Sequence, residues 1–208
     1  RIWVGTGENV AGRHVGIGHG IYLSKDSGST WDDMGLNKSE HISKIIVHPD
    51  NSNIIWVASQ GPLWNSGGDR GLFMSTDGGN SWSNKLYVNE WTGVTDIIID
   101  PTNPDILYAA TWQRHRNVAS LIDGGPGTSI YKSIDGGNTW NKIDSGLPSS
   151  NMGKIGLAIS PMKPEVIYAA IELDRRSGAV YRSDNSGGVW KKMSNTVAGA
   201  TGPHYYQE

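Results

Sequence analysis

The sequence contains no cysteine, which excludes disulfide bridges, thiolate metal sites and cysteine nucleophiles. Charged residues make up only 18% of the chain, and the formal net charge is −2. A nucleic-acid-binding domain normally carries a basic excess, so we expect no nucleic-acid partner. No apolar run approaches the length of about 18 residues that a membrane-spanning helix needs, so we expect no membrane span.

Phenylalanine occurs once, whereas tryptophan occurs 9 times and tyrosine 8 times among the 208 residues. Glycine occurs 28 times, roughly twice its average share. Helix-period patterning is absent, and short apolar runs alternate with turn residues. This pattern favours an all-β protein built from short strands.

An eight-residue pattern, which we call the octamer, occurs four times with the consensus Ser-x-Asp-x-Gly-x-Thr-Trp. Between the octamers, and in the same phase, lies a second pattern that consists of an apolar run, a proline-bearing turn and another apolar run. Repeats of this period are typical of repeat folds. The octamers are Ser24–Trp31, Ser75–Trp82, Ser133–Trp140 and Ser183–Trp190, and the second pattern spans 45–58, 98–110 and 157–170.

Each period is long enough for four short strands, A to D, which in the second unit we place near 42–48, 54–59, 71–75 and 82–88. Strands A and B are almost entirely apolar, so we expect them to be buried, with C and D further out. Four-stranded antiparallel units of about 50 residues predict a β-propeller in which each unit is one blade. A plain β-sandwich is the alternative, but a sandwich does not need the same hairpin four times.

We interpret the chain as a single propeller segment of about four blades, at approximately 1–36 (partial), 42–88, 94–144 and 154–194. Residues 203–208 are then the start of a further blade or a strand that closes the ring. The chain is either a piece of a longer protein or a closed four-bladed propeller. We favour the piece, because the sequence starts and stops inside expected strands.

The octamer has a mechanical explanation as the hairpin turn between strands C and D. Its aspartate can accept hydrogen bonds from amides further along the turn, and its glycine can adopt a positive φ. Its tryptophan buries a large ring and leaves the indole N–H free to find a carbonyl. A catalytic group is needed once per site rather than once per blade. We therefore predict no catalytic residue among the octamers and a structural role for Asp26, Trp31, Asp77, Trp82, Asp135, Trp140, Asn185 and Trp190.

The octamers resemble the Asp-box, or BNR, motif of sialidases, sortilin-type receptors and two-propeller xyloglucan-degrading hydrolases. The chain is also similar to large secreted bacterial proteins with sortilin-like propellers, which are often labelled glycosyl hydrolases. The resemblance implies a β-propeller in a secreted, periplasmic or cell-surface protein, and it is specific for the fold rather than for an activity. The segments that carry it are 4–8, 20–26, 41–49, 109–114, 124–127 and 203–206.

The B–C and D–A loops of a propeller share one face, which here is irregular in sequence. The B–C loops cover roughly 7–20, 60–70, 111–128 and 172–178. Variable loops on a rigid scaffold commonly carry function. The second and third loops follow equivalent strands of adjacent blades. We therefore expect them to line one groove for a glycan or peptide ligand, formed by Trp64, Arg70, Trp112, Arg114 and His115.

The main functional expectation is an extracellular binding or scaffold propeller that needs no catalytic group. The alternative is a glycoside hydrolase of the two-propeller xyloglucanase-like type, of which this chain is part, and such an enzyme needs two carboxylates. A sialidase is disfavoured because the Arg-Ile-Pro segment of that family is absent. No carboxylate pair stands out among those of the loop face, which are Glu8, Asp69, Asp123, Glu172 and Asp174.

We expect neither a cofactor nor a metal. The glycine-rich segments 5–7 and 124–127 do not match a phosphate-binding loop, because no Gly-Lys-Ser/Thr and no helix follows them. His14 and His19 supply only two of the three or four ligands that zinc requires. The expected partners are a ligand on the loop face and the rest of a larger parent chain.

Overall fold

The computed structural model describes residues 1–10, 15–173 and 177–197. These residues form an all-β chain, which confirms the predicted fold class. None of the described segments contains a helix long and apolar enough to cross a membrane. The strands are β1 (Ile2–Gly5), β2 (Ile21–Ser24), β3 (Asp32–Asp33), β4 (Ile42–Val47), β5 (Ile55–Gln60), β6 (Arg70–Ser75), β7 (Ser83–Leu86), β8 (Thr92–Ile99), β9 (Leu107–Gln113), β10 (His115–Arg116), β11 (Leu121–Ile122), β12 (Ile130–Ser133), β13 (Asn141–Lys142), β14 (Ile155–Ile159), β15 (Ile167–Leu173), β16 (Ser177–Ser183) and β17 (Lys191–Val197).

The strands form consecutive antiparallel sheets, which we number as blades 1 to 4. Blade 1 has the order β1-β2-β3 and blade 2 the order β4-β5-β6-β7. From the innermost to the outermost strand, blade 3 has the order β8-β9-β12-β13 and blade 4 the order β14-β15-β16-β17. The short pair β10-β11 is a hairpin inserted between strands B and C of blade 3. Each unit is thus a meander of its own, so the plain sandwich is wrong.

The strands of blade 2 begin and end within two residues of the predicted positions. The blade limits as a whole stay a prediction. Residues 203–208, which we expected to begin a further blade or to close the ring, lie outside the described residues. His14, Asp174 and residues 175–176 lie outside them as well.

The core consists of apolar clusters between successive blades rather than one central cluster. Ile21 of blade 1 packs with Val57 of blade 2, and Trp56 of blade 2 packs with Leu107 of blade 3. A third cluster joins blades 3 and 4. Strand β6 is buried at every position, although C strands were expected further out. The reason is that both faces of blade 2 are covered by a neighbouring sheet.

The octamers close their hairpins with a largely shared set of hydrogen bonds. In the first, Ser24 Oγ donates to Asp26 Oδ1 at 2.9 Å, and the amide and hydroxyl of Thr30 donate to the same carboxylate at 2.9 and 2.6 Å. The glycine at the fifth position has φ = 95° at Gly28. These hydrogen bonds lower the pKa of Asp26 to about 2, chiefly through the Thr30 hydroxyl. The carboxylate therefore acts as a staple for the turn.

The other three octamers repeat this geometry with small changes. Asp77 bonds the amide and hydroxyl of Ser81, and Asp135 bonds those of Thr139, with a pKa of about 2 for each aspartate. In the fourth octamer Asn185 accepts from the amide of Val189 at 2.9 Å, and Val189 has no hydroxyl to add.

The octamer tryptophans are not all buried, which corrects one expectation. Trp190 is 2% exposed, Trp82 and Trp140 are half-buried, and Trp31 is 42% exposed. Trp82 and Trp190 donate their indole N–H groups to carbonyl oxygens of the preceding blade, at 2.8 and 3.0 Å. Trp31 belongs to blade 1, and no described blade precedes it.

Asp96 joins the innermost strands of three blades. Its Oδ1 atom accepts from Lys44 Nζ of blade 2 at 2.7 Å, and its Oδ2 atom accepts from the amide of Leu157 of blade 4 at 2.8 Å. Asp96 itself lies on β8 of blade 3. These contacts link the A strands of blades 2, 3 and 4.

Candidate functional site

Aromatic rings and cations pair at the surface of the loop face, between blades 2 and 3. Trp64 is 40% exposed, and the guanidinium carbon of Arg116 lies 5.7 Å from its ring centroid. The rings of Trp91 and His115 have centroids 4.1 Å apart. The amide of Arg116 donates to Leu63 O at 3.0 Å, so the β10-β11 hairpin is fastened to the loop that carries Trp64. Both loops therefore lie side by side.

Arg70 does not line this surface, which corrects the prediction for that residue. Its guanidinium is fully buried and donates to main-chain carbonyl oxygens, including Gln60 O at 2.6 Å, Gly67 O at 3.2 Å and Trp91 O at 3.3 Å. Arg70 thus holds the B–C loop of blade 2 in shape. The sequence marks Arg70 as a loop residue but does not show that its side chain turns back into the loop.

Trp112 and Arg114 are also buried rather than open to a ligand. Trp112 is 1% exposed, and its indole N–H donates to Asp123 O at 3.4 Å. The Arg114 guanidinium carbon and Lys154 Nζ lie 5.0 and 5.3 Å from the Trp112 ring centroid. Of the five residues predicted to form the groove, Trp64 and His115 keep exposed surface, and their contact with a ligand stays a prediction.

Below this surface lies a group of charged residues that we call the polar cluster: Arg114, Asp123, Lys154 and Glu172. The amide of Lys154 donates to Glu172 Oε2 at 3.4 Å. The B–C loop of blade 1 reaches over the cluster, where Val10 O accepts from Arg114 Nη1 at 2.8 Å and Asn9 O accepts from Lys154 Nζ. Residues from three blades therefore converge at the inner edge of the loop face.

Burial raises the pKa of both carboxyl groups in the polar cluster. The pKa of Asp123 rises to about 8 through burial and the neighbouring Glu172 charge, against the opposing effect of Arg114 and Lys154. The pKa of Glu172 rises to about 7 through burial, which the Lys154 amide and charge oppose. Burial also lowers the pKa of Lys154 and, to about 9, that of Arg114. Such shifts are typical of functional sites.

Several buried polar atoms of this region lack a hydrogen-bond partner within the described residues. These atoms include hydrogen-bond donors on Arg114 and acceptors on Asp123 and Glu172. The region can therefore bind water or hydroxyl groups that donate or accept hydrogen bonds. The atoms are Arg114 Nε and Nη2, Asp123 Oδ1 and Oδ2, Glu172 Oε1, Gln60 Oε1 and both ring nitrogens of His41. The pKa of His41 falls to about 4, chiefly through burial.

Of the two carboxyl groups in the polar cluster, that of Glu172 belongs to the less buried residue, and its Oε1 atom is itself buried. Asp123 is fully buried, whereas Glu172 is half-buried at the end of β15. Main-chain amides hold the other two described carboxylates of the predicted set at shorter distances than Lys154 N holds Glu172: Glu8 accepts from Gly16 N at 2.8 Å and Asp69 from Lys38 N at 3.0 Å. A group with a pKa near neutrality can donate or accept a proton at working pH.

The repeat phase contains a signal for this site that our sequence interpretation missed. Glu172 occupies the same register position as Gln60 of blade 2 and Trp112 of blade 3, two residues after the alanine that each B strand shares. All three side chains belong to the region of unpartnered polar atoms or pack on it. Within the described residues, no group of three or more His, Asp or Glu side chains is arranged to hold a metal ion.

Solved structures similar to this chain decide the architecture. An ancestral GH74 enzyme superposes with a TM-score of 0.63 at 24% identity, covering 85% of this chain and 21% of that one. The GH74 xyloglucanase from Xanthomonas campestris gives a TM-score of 0.64 at 16% identity, covering 90% of this chain and 27% of that one. The fold is a β-propeller. The described blades are a part of such a propeller, as the repeats predicted.

Curated relatives are similar to the chain at low identity. A xyloglucanase from Paenibacillus sp is 24% identical over 178 residues, which cover 84% of this chain and 15% of the relative. A xyloglucanase from Hypocrea jecorina (strain QM6a) is 27% identical over 204 residues, covering 84% of this chain and 23% of the relative. The chain thus spans less than a quarter of the length of either relative. No protein-family profile matches it.

Proposed function

We propose that this β-propeller is part of a glycoside hydrolase of the xyloglucanase-like, two-propeller type, and that its loop face forms one wall of the substrate cleft. The observation that carries the proposal is Glu172, a half-buried residue at the inner edge of that face, whose carboxyl group has a pKa of about 7 and a buried Oε1 atom without a partner among the described residues. The similarity to xyloglucanases supports the same reaction class. The proposal favours our alternative interpretation over a pure binding propeller.

Glycoside hydrolysis requires a carboxylic acid that protonates the leaving oxygen and a second carboxylate on the other side of the bond. Because burial raises its pKa to about 7, the Glu172 carboxyl group keeps its proton closer to neutral pH than an ordinary glutamic acid does, so Glu172 is suited to the acid role. Asp123 has no exposed surface and acts on Glu172 as a neighbour rather than on substrate. In two-propeller hydrolases each propeller contributes one carboxylate, so we assign the second carboxylate to the remainder of the protein.

The aromatic surface beside the polar cluster is suited to hold a polysaccharide. Sugar rings present apolar faces that pack on aromatic side chains, and polar groups then fix their orientation. Trp64 offers an exposed ring that Arg116 braces, and Trp91 and His115 form a second ring pair. We propose that these pairs contact a β-glucan backbone or its branches.

We further propose that the octamers are Asp-boxes of the BNR type and that the protein acts outside the cytoplasm. The hydrogen bonds of the hairpins support the first part, because they assign the aspartate a structural task in each blade. A polymeric plant glucan as substrate supports the second, because such a polymer does not enter cells. The sortilin-like character of the propeller stays a hypothesis from sequence resemblance.

The test is release of reducing sugar from xyloglucan by the full-length protein. Glu172→Gln removes the proton donor and is expected to lower kcat at least 100-fold with little change in KM. The matched control is Glu165→Gln, since Glu165 is exposed and lies near the opposite end of the same strand. No hydrolysis by the unmodified protein, or equal rates for both variants, would contradict the proposal. Binding of xyloglucan without hydrolysis would favour the binding propeller instead.

A further inference from the structure

Lys154 and Glu172 lie opposite each other on the first two strands of blade 4. Lys154 directly precedes β14, and Glu172 lies one residue before the end of β15. The amide of Glu172 donates to Lys154 O at 3.0 Å, and the amide of Gly153 donates to Glu172 O at 2.9 Å. Opposite charges that face each other across two strands ordinarily attract and pair. A cation paired in this way would hold the Glu172 carboxyl group in its ionised form.

The Lys154 ammonium is bound by two other groups instead. Its Nζ atom donates to Asn9 O in the B–C loop of blade 1 and lies 5.3 Å from the centroid of the Trp112 ring. A tryptophan ring attracts a desolvated cation strongly. The Glu172 carboxyl group accepts from the main-chain amide of Lys154 through Oε2, whereas its Oε1 atom is buried without a partner among the described residues.

Trp112 is held in place as a support for cations. It is 1% exposed and packs with Leu63 and Leu121, and its indole N–H donates to Asp123 O at 3.4 Å. The guanidinium carbon of Arg114 lies 5.0 Å from the same ring centroid. One buried ring therefore holds both cations of the polar cluster.

The charged groups around Glu172 belong to blades 3 and 4. Asp123 and Lys154 interact with its carboxyl group, and Lys154 also faces Arg114 and Asp96. Burial raises the pKa of Glu172 to about 7, and the main-chain amide of Lys154 opposes this rise more strongly than the charge of Lys154 does. The ammonium is thus a neighbour of the carboxyl group without neutralising it.

We propose that Trp112 is a positioning residue whose ring, together with the Asn9 carbonyl, holds the Lys154 ammonium away from the Glu172 carboxyl group and leaves that group unpaired. Trp112 acts through Lys154 and needs no contact with substrate. The catalytic consequence rests on the proposed function, whereas the placement of the ammonium does not.

The pH dependence of thermal stability reports the pKa of Glu172 without any need for activity. Folding raises this pKa from 4.5 to about 7, so the stability that Glu172 adds relative to Glu172→Gln is fully present below pH 4.5 and is lost as the pH rises through about 7. In full-length Trp112→Met the released ammonium pairs with Glu172, so we expect the loss to be complete at least about one pH unit lower. An unchanged loss near pH 7 would overturn the proposal.

A second substitution separates release of the ammonium from loss of packing. Trp112→Met combined with Lys154→Met is expected to return the loss of stability to about pH 7, because no ammonium remains to pair with Glu172. Failure to return would assign the effect of Trp112→Met to packing and contradict the positioning role. Trp190→Met removes a tryptophan that is 2% exposed and lies outside the polar cluster, so it should lower the melting temperature and leave the pH dependence unchanged.

Lys154→Met alone tests the proposal in a protein that keeps the Trp112 ring. An ammonium held away from Glu172 has a small effect on the carboxyl group, so the loss of stability should move by less than about one pH unit. A larger move to higher pH would show that the ammonium already pairs with Glu172. That result would overturn the proposal even if Trp112→Met did not fold.

Hydrolysis of xyloglucan distinguishes this inference from the proposed function. If both hold, the limb of kcat/KM that falls near pH 7 moves to lower pH in Trp112→Met and returns in the variant that also carries Lys154→Met. A displaced stability profile in a protein that does not hydrolyse xyloglucan would support the positioning role and contradict the proposed function. Hydrolysis with both profiles unchanged in Trp112→Met would support the proposed function and overturn the positioning role.

Discussion

The indole N–H of Trp56 donates to the carbonyl oxygen of Gly136 across a gap of 80 residues in sequence, at 3.1 Å. This hydrogen bond fastens strand β5 of blade 2 to the octamer hairpin of blade 3. Trp56 is fully buried, and a side chain at the adjacent Gly137 would collide with its indole nitrogen. The octamers therefore close their own hairpins and also receive the neighbouring blade.

Trp56→Phe tests this double role. The phenyl ring retains most of the packing but leaves the Gly136 carbonyl without its donor, which costs about 1 kcal/mol. For a protein of this size, that corresponds to a fall of about 2–4 °C in melting temperature. The measurement is thermal unfolding followed by near-ultraviolet circular dichroism. Trp64→Phe, at an exposed indole, serves as the control, and an equal fall for both would argue against a blade joint.

The octamer aspartates are predicted to be structural rather than catalytic. Asp77→Ala removes the carboxylate that holds the amide and hydroxyl of Ser81, so the melting temperature should fall. Hydrolysis of xyloglucan, or binding to it, should persist below the new melting temperature. Loss of either at unchanged thermal stability would contradict the structural role.

Restoring the consensus residues is predicted to make the hairpin of the fourth octamer more stable. Asn185→Asp combined with Val189→Thr rebuilds the carboxylate–hydroxyl contact that Asp135 makes with Thr139 at 2.6 Å. We expect the double substitution to raise the melting temperature by more than the sum of the single substitutions, because each group needs the other. A double-substitution cycle measured by calorimetry gives the coupling directly. Strict additivity would show that the staple adds nothing at this hairpin.

Asp123 is predicted to make stability depend on pH. Folding raises its pKa from 3.8 to about 8, so the folded state retains a proton that the unfolded state releases. The stabilisation is fully present below pH 4 and is lost as the pH rises through 8. Asp123→Asn should thus raise the melting temperature at pH 9 relative to the unmodified protein, with a smaller effect at pH 5. Asp50→Asn, at an exposed turn, is the control. An effect of Asp123→Asn that does not change with pH would contradict the raised pKa of Asp123.

The hairpins and strands were predictable because their causes are local. The four residue types of an octamer suffice to close its turn, and the strands of blade 2 begin and end near their predicted positions. The exposure of Trp31 was not predictable in this way, because the partner of each octamer tryptophan belongs to another blade. A local pattern does not report which neighbour is present.

The site was only partly predictable, since it depends on where loop side chains turn. Arg70 and Arg114 are of a residue type that commonly contacts ligands, yet both side chains turn inward and donate to main-chain carbonyl oxygens. Asp123 and Glu172 were on the loop face in the sequence interpretation, but 49 positions separate them and no spacing rule pairs them. The packing of blade 4 against blade 3 brings them together, and burial then raises both pKa values.

The pH dependence of xyloglucan hydrolysis by the full-length protein tests the central claim most directly. If Glu172 donates the proton, kcat/KM must fall as the pH rises through about 7, because the carboxyl group then loses its proton. Glu172→Asp should retain a residual rate with this limb displaced, whereas Glu165→Asp should leave the limb unchanged. A profile that stays level from pH 5 to pH 9, or a limb near 7 that survives unchanged in Glu172→Asp, would contradict the assignment of Glu172 as the acid.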